Sequence, residues 1–505
     1  MQLTEEQELW IEELAMGRPC WLSARAGTGK TSTILAGLES LDKRKEQGKC
    51  PAKMNPSMFT LIAFNKENQL ELAKRVGNMT WQSGKPQVAT LHSLGWAALK
   101  GYNRRLEIDS SKVFELMKLA GIKGKRRREK FSETMRLVSV AKNFGIGILL
   151  EDKPDSWVKL ADKFCLYQAD LDIAREVFWK SMKEAKENNA IDFDDMVYLP
   201  LAWNLGLGTR AGIIVDEAQD LSPLNLELIK KTPGKKWFVG DPFQCIYQFR
   251  GAGAEAGRQG WETLKKLPLT TCWRCGKEII KEAQKFVPDI KANPDGETGE
   301  VILETRKIDW TKEKPACLLA RSNEALVDIA LRLWKVGRPV YILGRDFGTS
   351  LLDSLDDIKG EGVALGTAIM DWAEAKANAY PQNSGWFLAL GRVLWLFWKQ
   401  FKGRKQMEQN IGVFFSDAPK PGAWVLSTIH KAKGKEWDEV WLLDWETESG
   451  GEEWQVDVYR NLHYVAITRA KKVLHMVPEN WWKEGGRDGE LRGNKLEIIE
   501  CVETD

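Results

Sequence analysis

The sequence has little of what marks metal-binding, disulfide-bonded or membrane proteins. Among 505 residues it contains 4 histidines and 8 cysteines, and the cysteines follow no repeating spacing. Cys272 and Cys275 form a CxxC pair, but no second pair and no histidine lies near it, so ordinary reduced thiols are favoured over a zinc site. The most apolar stretch, 386–398, is too short to cross a bilayer and contains Arg392, which predicts a buried helix.

The net charge is also small. The chain has 74 lysines and arginines against 71 aspartates and glutamates, a net charge of +3, so no overall field favours a polyanion and local clusters must carry any such site. The strongest cluster is the basic run 123–128, for which a solvated helix end and a contact with a nucleic-acid backbone are both open. Residues 1–13 are acidic and polar, unlike a signal peptide, and we expect a cytoplasmic protein.

What the sequence does contain is a phosphate-binding loop at residues 24–31, between an apolar strand and a helix. Its glycines let backbone N–H groups turn toward a triphosphate, Lys30 would reach the outer phosphates, and the Thr31 hydroxyl would hold Mg²⁺. The strict pattern begins with glycine, where this chain has Ala24, but the order of strand, loop and helix favours a nucleotide site over a chance glycine-rich turn. The predicted contacts to the nucleotide in this loop are Ala26, Gly27, Thr28, Gly29, Lys30 and Thr31.

Acidic residues follow a second apolar strand, 213–215. A metal–phosphate site needs a carboxylate at a strand end to hold Mg²⁺, which predicts that role for Asp216. Hydrolysis needs a base that orients and deprotonates water, which predicts that role for Glu217. Gln244 follows another strand and could sense the outermost phosphate.

Gln7 has two interpretations. With Thr4 as N-cap it completes a capping box at the start of a helix, which is a structural role. Because it precedes the phosphate loop, it could also hydrogen-bond the edge of an adenine. The residues alone leave both open.

Strands alternate with helices along most of the chain, which predicts an α/β fold with parallel sheets and a site at the carboxyl ends of their strands. Two charged, helical blocks interrupt this pattern. The predicted divisions are a first unit at 1–96 and 191–268, its helical insertion at 97–190, a second unit at 269–344 and 423–505, and its shorter helical insertion at 345–422. We also expect a short strand at 88–93 and a return to the first, sheet-containing unit at 191–196.

Taken together, these segments resemble the UvrD/Rep group of superfamily 1 helicases. The motifs that carry the resemblance, in chain order, are LTEEQ, ARAGTGKT, LIAFNKENQ, ATLHS, VDEAQD, FVGDPFQCIYQFRGA, TCWR, STIHKAKGKEWDEV and YVAITRAK. The resemblance implies two RecA-like P-loop NTPase domains, each with a mainly helical insertion, and ATP and Mg²⁺ bound between them. This sequence departs from the family pattern at Trp273, where tyrosine is usual, and in the short length of its second insertion.

The resemblance also implies roles for residues that spacing alone does not assign. Arg274 and Arg469 would stabilise the transition state from the second domain, Trp273 would stack on adenine, and Glu436 would bind the ribose. Contacts to single-stranded DNA are implied for a further set of residues: Phe64, Asn65, His92, Tyr247, Phe249, Arg250, Thr428 and His430. Core packing is the competing interpretation for Phe249, and a structural role competes for each histidine.

We therefore expect an ATP-dependent DNA helicase and single-stranded DNA translocase. The family implies 3′-to-5′ movement, with single strands and single–double-strand junctions as partners, accessory replication or repair proteins, and a monomer or weak oligomer. Three alternatives remain: a translocase that strips proteins from DNA without efficient unwinding, an RNA helicase, and a nucleotide-binding module without turnover.

Overall fold

The computed structural model describes residues 3–47, 54–121, 127–164, 166–246, 263–305, 308–310, 313–379, 384–415, 421–443 and 453–478. The strands within these ranges are β1 Cys20–Ala24, β2 Phe59–Ala63, β3 Gln87–Thr90, β4 Glu107–Ile108, β5 Ala190–Ile191, β6 Gly212–Val215, β7 Lys235–Gly240, β8 Lys265–Leu269, β9 Thr271–Cys272, β10 Lys291–Ala292, β11 Glu300–Leu303, β12 Cys317–Ala320, β13 Val340–Ile342, β14 Trp424–Thr428, β15 Trp437–Leu443 and β16 Ala470–Val477.

The helices of the same ranges cover the sheets and form the insertions. They are α1 Glu5–Ala15, α2 Lys30–Glu46, α3 Lys66–Gly77, α4 Leu91–Tyr102, α5 Lys112–Ala120, α6 Arg127–Asn143, α7 Pro154–Lys163, α8 Leu171–Glu187, α9 Asp195–Ala202, α10 Pro223–Lys231, α11 Lys277–Gln284, α12 Asn323–Lys335, α13 Arg345–Asp357, α14 Gly362–Ala379, α15 Ser384–Phe401, α16 Arg404–Phe414, α17 Ile429–Ala432 and α18 Glu453–Ile467.

The first sheet of the described chain has six parallel strands in the order β3-β2-β6-β7-β1-β8. Its inner strands read as apolar runs because helices cover both faces of a parallel sheet. Every residue of β2 and β6 is buried. Since all strands run the same way, the phosphate loop after β1 and the acids after β6 emerge at one edge.

A second six-stranded parallel sheet has the order β11-β16-β15-β12-β14-β13. The two sheets with their flanking helices confirm the α/β prediction. The chain passes from one to the other after β8, because β9 no longer pairs with the first sheet but with β10. The domain boundaries given above stay predictions, with 268/269 falling inside β8.

The chain leaves the first insertion through a short strand, β5. The return to the first unit at 191–196 stays a prediction: here β5 pairs with β4, and the next strand, β6, pairs within the first sheet. Two-residue strands have too little apolar pattern to reveal their partner. The pairing of β4 with β5 joins the beginning and the end of the helical insertion.

The predicted buried helix at 386–398 is confirmed within α15. Leu390, Val393, Leu394 and Phe397 are almost fully buried, while Arg392 pairs with Glu324 at 3.2 Å. This amphipathic pattern suits a helix that packs on a core. In the described ranges, no helix combines the length and the apolar character that crossing a membrane requires.

Candidate active site

A cleft of about 720 Å³ collects most of the residues predicted to handle ATP. Side chains from both sheets line it, although they lie far apart in sequence. The predicted residues on its walls are Gln7, Gly27, Thr28, Gly29, Lys30, Thr31, Asp216, Glu217, Gln244, Trp273, Arg274, Glu436 and Arg469. Ala26 lies just behind the wall, where its backbone N–H donates to the Tyr464 hydroxyl at 2.8 Å.

The phosphate loop bends through two glycines with positive φ. Gly29, at +84°, is the N-cap of α2, and Gly27 has a φ of +68°. A Cβ added at Gly27 would lie 2.7 Å from both Arg274 Cβ and Cys272 Sγ. Glycine is therefore required here twice, by the left-handed backbone and by the close approach of the second unit.

Lys30, the predicted phosphate-binding cation, and Glu217, the predicted base, form an ion pair. Lys30 Nζ donates to Glu217 Oε1 at 2.8 Å, and Gln219 donates to the other carboxylate oxygen at 2.6 Å. Burial opposes the charge of Lys30, yet the carboxylates of Glu217 and Asp216 raise its pKa above the ordinary value. Burial would likewise raise the pKa of Glu217, but Lys30 and Lys433 lower it to about 2. Glu217 is thus held as a carboxylate.

Asp216 behaves differently from its neighbour. Burial, together with the adjacent charge of Glu217, raises the pKa of Asp216 to about 6. A buried carboxylate without sufficient compensating charge suits a site that a cation completes. With Thr31 on the same cleft, the donor set fits Mg²⁺ shared with phosphate oxygens, because Mg²⁺ keeps several non-protein ligands.

Gln7 makes the capping box that the sequence predicted. Its backbone N–H donates to Thr4 Oγ1 at 3.2 Å, and its Oε1 accepts from Thr4 N at 3.0 Å. Its Nε2 also donates to Thr33 Oγ1 at 3.0 Å. One N–H and one lone pair of the amide remain for a ligand, so the structural role and a base-binding role are compatible.

The two predicted transition-state cations approach the cleft from the second unit. The Arg469 guanidinium is buried and donates to the carbonyls of Val465 and Lys435 at 2.9 and 3.1 Å. Burial and the charge of Arg274 lower the pKa of Arg469 to about 10, which leaves it charged at neutral pH. Arg274 pairs with Glu436 at 2.5 Å, so the predicted ribose ligand and one predicted cation contact each other.

Trp273 presents an exposed indole to the cleft. Its side chain is 42% exposed, and its backbone N–H donates to Gly27 O at 2.9 Å. An exposed aromatic face beside a phosphate loop is available for stacking on a base. The predicted stacking role therefore has the necessary geometry, although tryptophan stands where the family usually has tyrosine.

Gln244 is held at the floor of the cleft. Its Nε2 donates to Asp241 at 2.8 Å, and Asp241 also accepts from the Tyr464 hydroxyl at 3.1 Å. Burial raises the pKa of Asp241, although Arg25 and Lys30 oppose that effect. Tyr464 thus bridges Ala26 of the phosphate loop and Asp241.

Several cross-unit contacts were not among the predicted site residues. Arg25 forms a bidentate ion pair with Asp289, in which Nε and Nη2 donate to the two carboxylate oxygens at 2.7 and 2.5 Å. Lys433 pairs with Asp220 at 2.5 Å. Arg25 lies inside the loop that the sequence singled out, so its charge was a visible signal. Nothing local distinguishes Asp289 from other surface aspartates, and no sequence pattern could have found it.

Among the described residues, only some of the predicted DNA contacts line the cleft. Phe64 and Asn65 line the ATP cleft, whereas His92, Thr428 and His430 do not. Asn65 caps α3 by accepting from Asn68 N at 2.8 Å, and Thr428 caps α17. Tyr247, Phe249 and Arg250 lie outside the described residues, as does the basic run up to residue 126.

His92 lies on a helix and not on the expected strand. The strand ends at Thr90, whose side chain forms a capping box with Ser93, so α4 begins at Leu91. Thr90, a residue type that favours the N-cap position, was the overlooked signal. Burial lowers the pKa of His92, which favours a neutral ring, with Asp194 opposing the shift.

Comparisons with known proteins agree with this geometry. A profile of the UvrD/REP helicase N-terminal domain matches residues 3–257, and one of the UvrD-like helicase C-terminal domain matches residues 423–477. F-box DNA helicase protein 1 of Schizosaccharomyces pombe is 27% identical over 297 residues, which is 52% of this chain and 33% of that protein. F-box DNA helicase 1 of Gallus gallus is 24% identical over 539 residues, 94% of this chain and 48% of the relative.

A bacterial relative gives a similar match. ATP-dependent DNA helicase Rep of Buchnera aphidicola subsp. Baizongia pistaciae is 25% identical over 293 residues, 53% of this chain and 41% of the relative. The alignments thus cover less than half the length of these three relatives. The N-terminal profile spans about half of the chain, and its match begins beside Gln7 and includes the phosphate loop and the acidic pair. The chain belongs to the UvrD/Rep family of helicases.

Proposed function

We propose that this chain is an ATP-dependent DNA helicase that moves along single-stranded DNA in the 3′-to-5′ direction. The observation that carries the proposal is the single cleft lined by Lys30, Glu217 and Asp216 from the first unit and by Arg274 and Arg469 from the second. A triphosphate in that cleft would be contacted from both units, so its hydrolysis would change how the units are held together. DNA as the track is supported by the names of the three relatives described above, each of which is called a DNA helicase.

The Lys30–Glu217 pair suggests how binding prepares hydrolysis. A phosphate oxygen that contacts Lys30 would take that cation from Glu217, which stays held by Gln219 at 2.6 Å. Loss of the cation raises the pKa of a carboxylate toward the range in which it can accept a proton from water. Mg²⁺, when bound by Asp216 and Thr31, would neutralise charge on the phosphates. Arg469 and Arg274 would stabilise the charge that develops during transfer.

A strand-separation assay tests the proposal. With ATP, the protein is expected to unwind duplexes with a 3′ single-stranded tail and not those with a 5′ tail, and single-stranded DNA is expected to stimulate phosphate release more than RNA does. Displacement of a protein bound to single-stranded DNA without unwinding would favour the translocase alternative. ATP binding without DNA-stimulated phosphate release would refute the proposal.

Lys30→Ala is the matched site test. Because Lys30 is the predicted phosphate contact, phosphate release is expected to fall to background, while binding to single-stranded DNA, measured by fluorescence anisotropy, stays close to wild type. Lys66→Ala is the control, since Lys66 is an exposed lysine whose Nζ contacts Gln69 at 2.9 Å. Undiminished turnover in Lys30→Ala would remove the cleft from the ATPase assignment.

A further inference from the structure

Glu6, in the first turn of α1, accepts hydrogen bonds from Thr270, the residue at which the chain leaves the first sheet. Thr270 is the residue between β8, the last strand of that sheet, and β9, which pairs with β10. Its backbone N–H donates to Glu6 Oε2 at 2.7 Å, and its hydroxyl donates to Glu6 Oε1 at 2.7 Å. Both oxygens of one carboxylate therefore hold one nearly buried residue, 264 positions away.

We propose that Glu6 is a positioning residue that couples recognition of the nucleotide base to the placement of Arg274. The inference rests on the proposed function, because it assumes that the cleft hydrolyses a nucleoside triphosphate. Glu6 precedes Gln7, the predicted adenine ligand, and Thr270 precedes Trp273 and Arg274 by a few residues. One carboxylate thus ties the two sides of the predicted base site together.

Gln7 is itself fixed by this turn. The Thr33 hydroxyl donates to Gly29 O at 3.0 Å, so toward Gln7 it can only accept, and Gln7 must point Nε2 at it. Thr4 N can only donate, so it requires Gln7 Oε1. The amide orientation is therefore determined, and it is linked through Thr33 to the phosphate loop.

The chain on both sides of Thr270 is hydrogen-bonded to the phosphate loop. Arg25 N donates to Leu269 O at 2.8 Å, and Trp273 N donates to Gly27 O at 2.9 Å. Glu6 secures Thr270 between these two anchors. Without the carboxylate, the peptide that leads to Trp273 and Arg274 keeps these two bonds and the bond from Lys291 N to Thr270 O at 2.9 Å, but it loses both contacts to α1.

A purely helical role does not account for Glu6. The acidic residues of the first turn are Glu5, Glu6 and Glu8, all of which suit the positive end of the helix dipole. Thr4 and Gln7 complete the capping box without Glu6. Its contacts to Thr270 lie beyond what the helix end needs.

The test compares ATP with UTP, which carries the same triphosphate on a pyrimidine. In Glu6→Ala, kcat for ATP in the presence of single-stranded DNA is expected to fall about tenfold, because a base bound beside Gln7 would no longer help to place the Arg274 cation accurately. kcat for UTP is expected to change less than twofold, since UTP gains little from the base site. Glu5→Ala, which removes an exposed carboxylate from the same turn, is expected to match wild type with both nucleotides.

An ATP/UTP ratio of kcat values that Glu6→Ala leaves unchanged would overturn the proposal, whether both kcat values fall by the same factor or neither changes. If Glu6→Ala does not fold, as judged by its thermal unfolding midpoint, Thr270→Val carries the same test because it removes the hydroxyl contact and keeps the N–H. A wild-type protein without DNA-stimulated phosphate release would refute the proposed function instead.

Discussion

Arg469 shows how a buried cation can be kept available for a phosphate. Its guanidinium donates to two carbonyls and to the hydroxyl of Thr468, which are uncharged acceptors. These contacts fix its direction without neutralising its charge. A buried cation held in this way interacts strongly with an incoming anion.

Replacing Arg469 should therefore affect the chemical step most. Arg469→Ala is expected to lower kcat for DNA-stimulated ATP hydrolysis about 10³-fold, the low end for a transition-state arginine. Arg469→Lys keeps the charge but loses the planar guanidinium, so its kcat is expected to lie between the values of wild type and Arg469→Ala. A kcat for Arg469→Ala within tenfold of wild type, measured in steady-state assays, would exclude a transition-state role.

At the scale of elements, the first insertion is held by a buried charge cluster. Lys142 on α6 donates to Asp192 at 2.5 Å and to Asp195 at 2.7 Å, and Lys112 on α5 also contacts Asp195. All four side chains are nearly buried. The cluster joins two helices of the insertion to Asp192, which follows β5, and to Asp195, the first residue of α9.

Lys142→Met is expected to destabilise the insertion by about 3–5 kcal/mol, because two buried carboxylates would then share one lysine. Chemical denaturation followed by circular dichroism measures the change. Lys130→Met on the same helix is the control. Lys130 is 35% exposed and lies 3.5 Å from Asp170, so its loss should cost about 1 kcal/mol or less. Equal effects of the two variants would contradict a structural role for the buried cluster.

The sequence predicted most elements but fewer of their connections. Apolar runs and the glycine-rich loop located β1, β6 and the start of α2, since these signals are local. The helical start at Leu91 was missed because the capping signal at Thr90 lay inside an apparent strand. The pairing of β5 with β4 and the contact of Arg25 with Asp289 depend on residues far apart in sequence, for which a single sequence has no record.

At the scale of the whole molecule, the contact between Arg25 and Asp289 ties the phosphate loop to the second unit. The hydrogen bond from Arg25 lowers the pKa of Asp289 below its ordinary value of 3.8. A carboxylate with a lowered pKa adds stability above its unfolded pKa and loses that contribution as the pH falls through its folded pKa. Asp289 is 53% exposed, so the contribution is about 1 kcal/mol or less.

Asp289→Asn should therefore lower the urea midpoint slightly at pH 7, and the difference from wild type should vanish in acid below the ordinary carboxyl range. Asp295→Asn, at an exposed position of the same unit, is expected to leave the midpoint unchanged at either pH. A difference for Asp289→Asn that persists unchanged in acid would show that the charge of Asp289 is not its source.

The order of the first sheet has a consequence for how the protein is made. β1 lies between β7 and β8, although within that sheet it is the first of the strands to be synthesised and β8 is the last. The nascent chain must therefore release the entire first insertion before β1 gains either neighbour. Until then the strand that leads into the phosphate loop has unpaired backbone on both sides, a template for incorrect pairing. A translational stall before β8 would leave that strand unprotected on the side where β8 belongs.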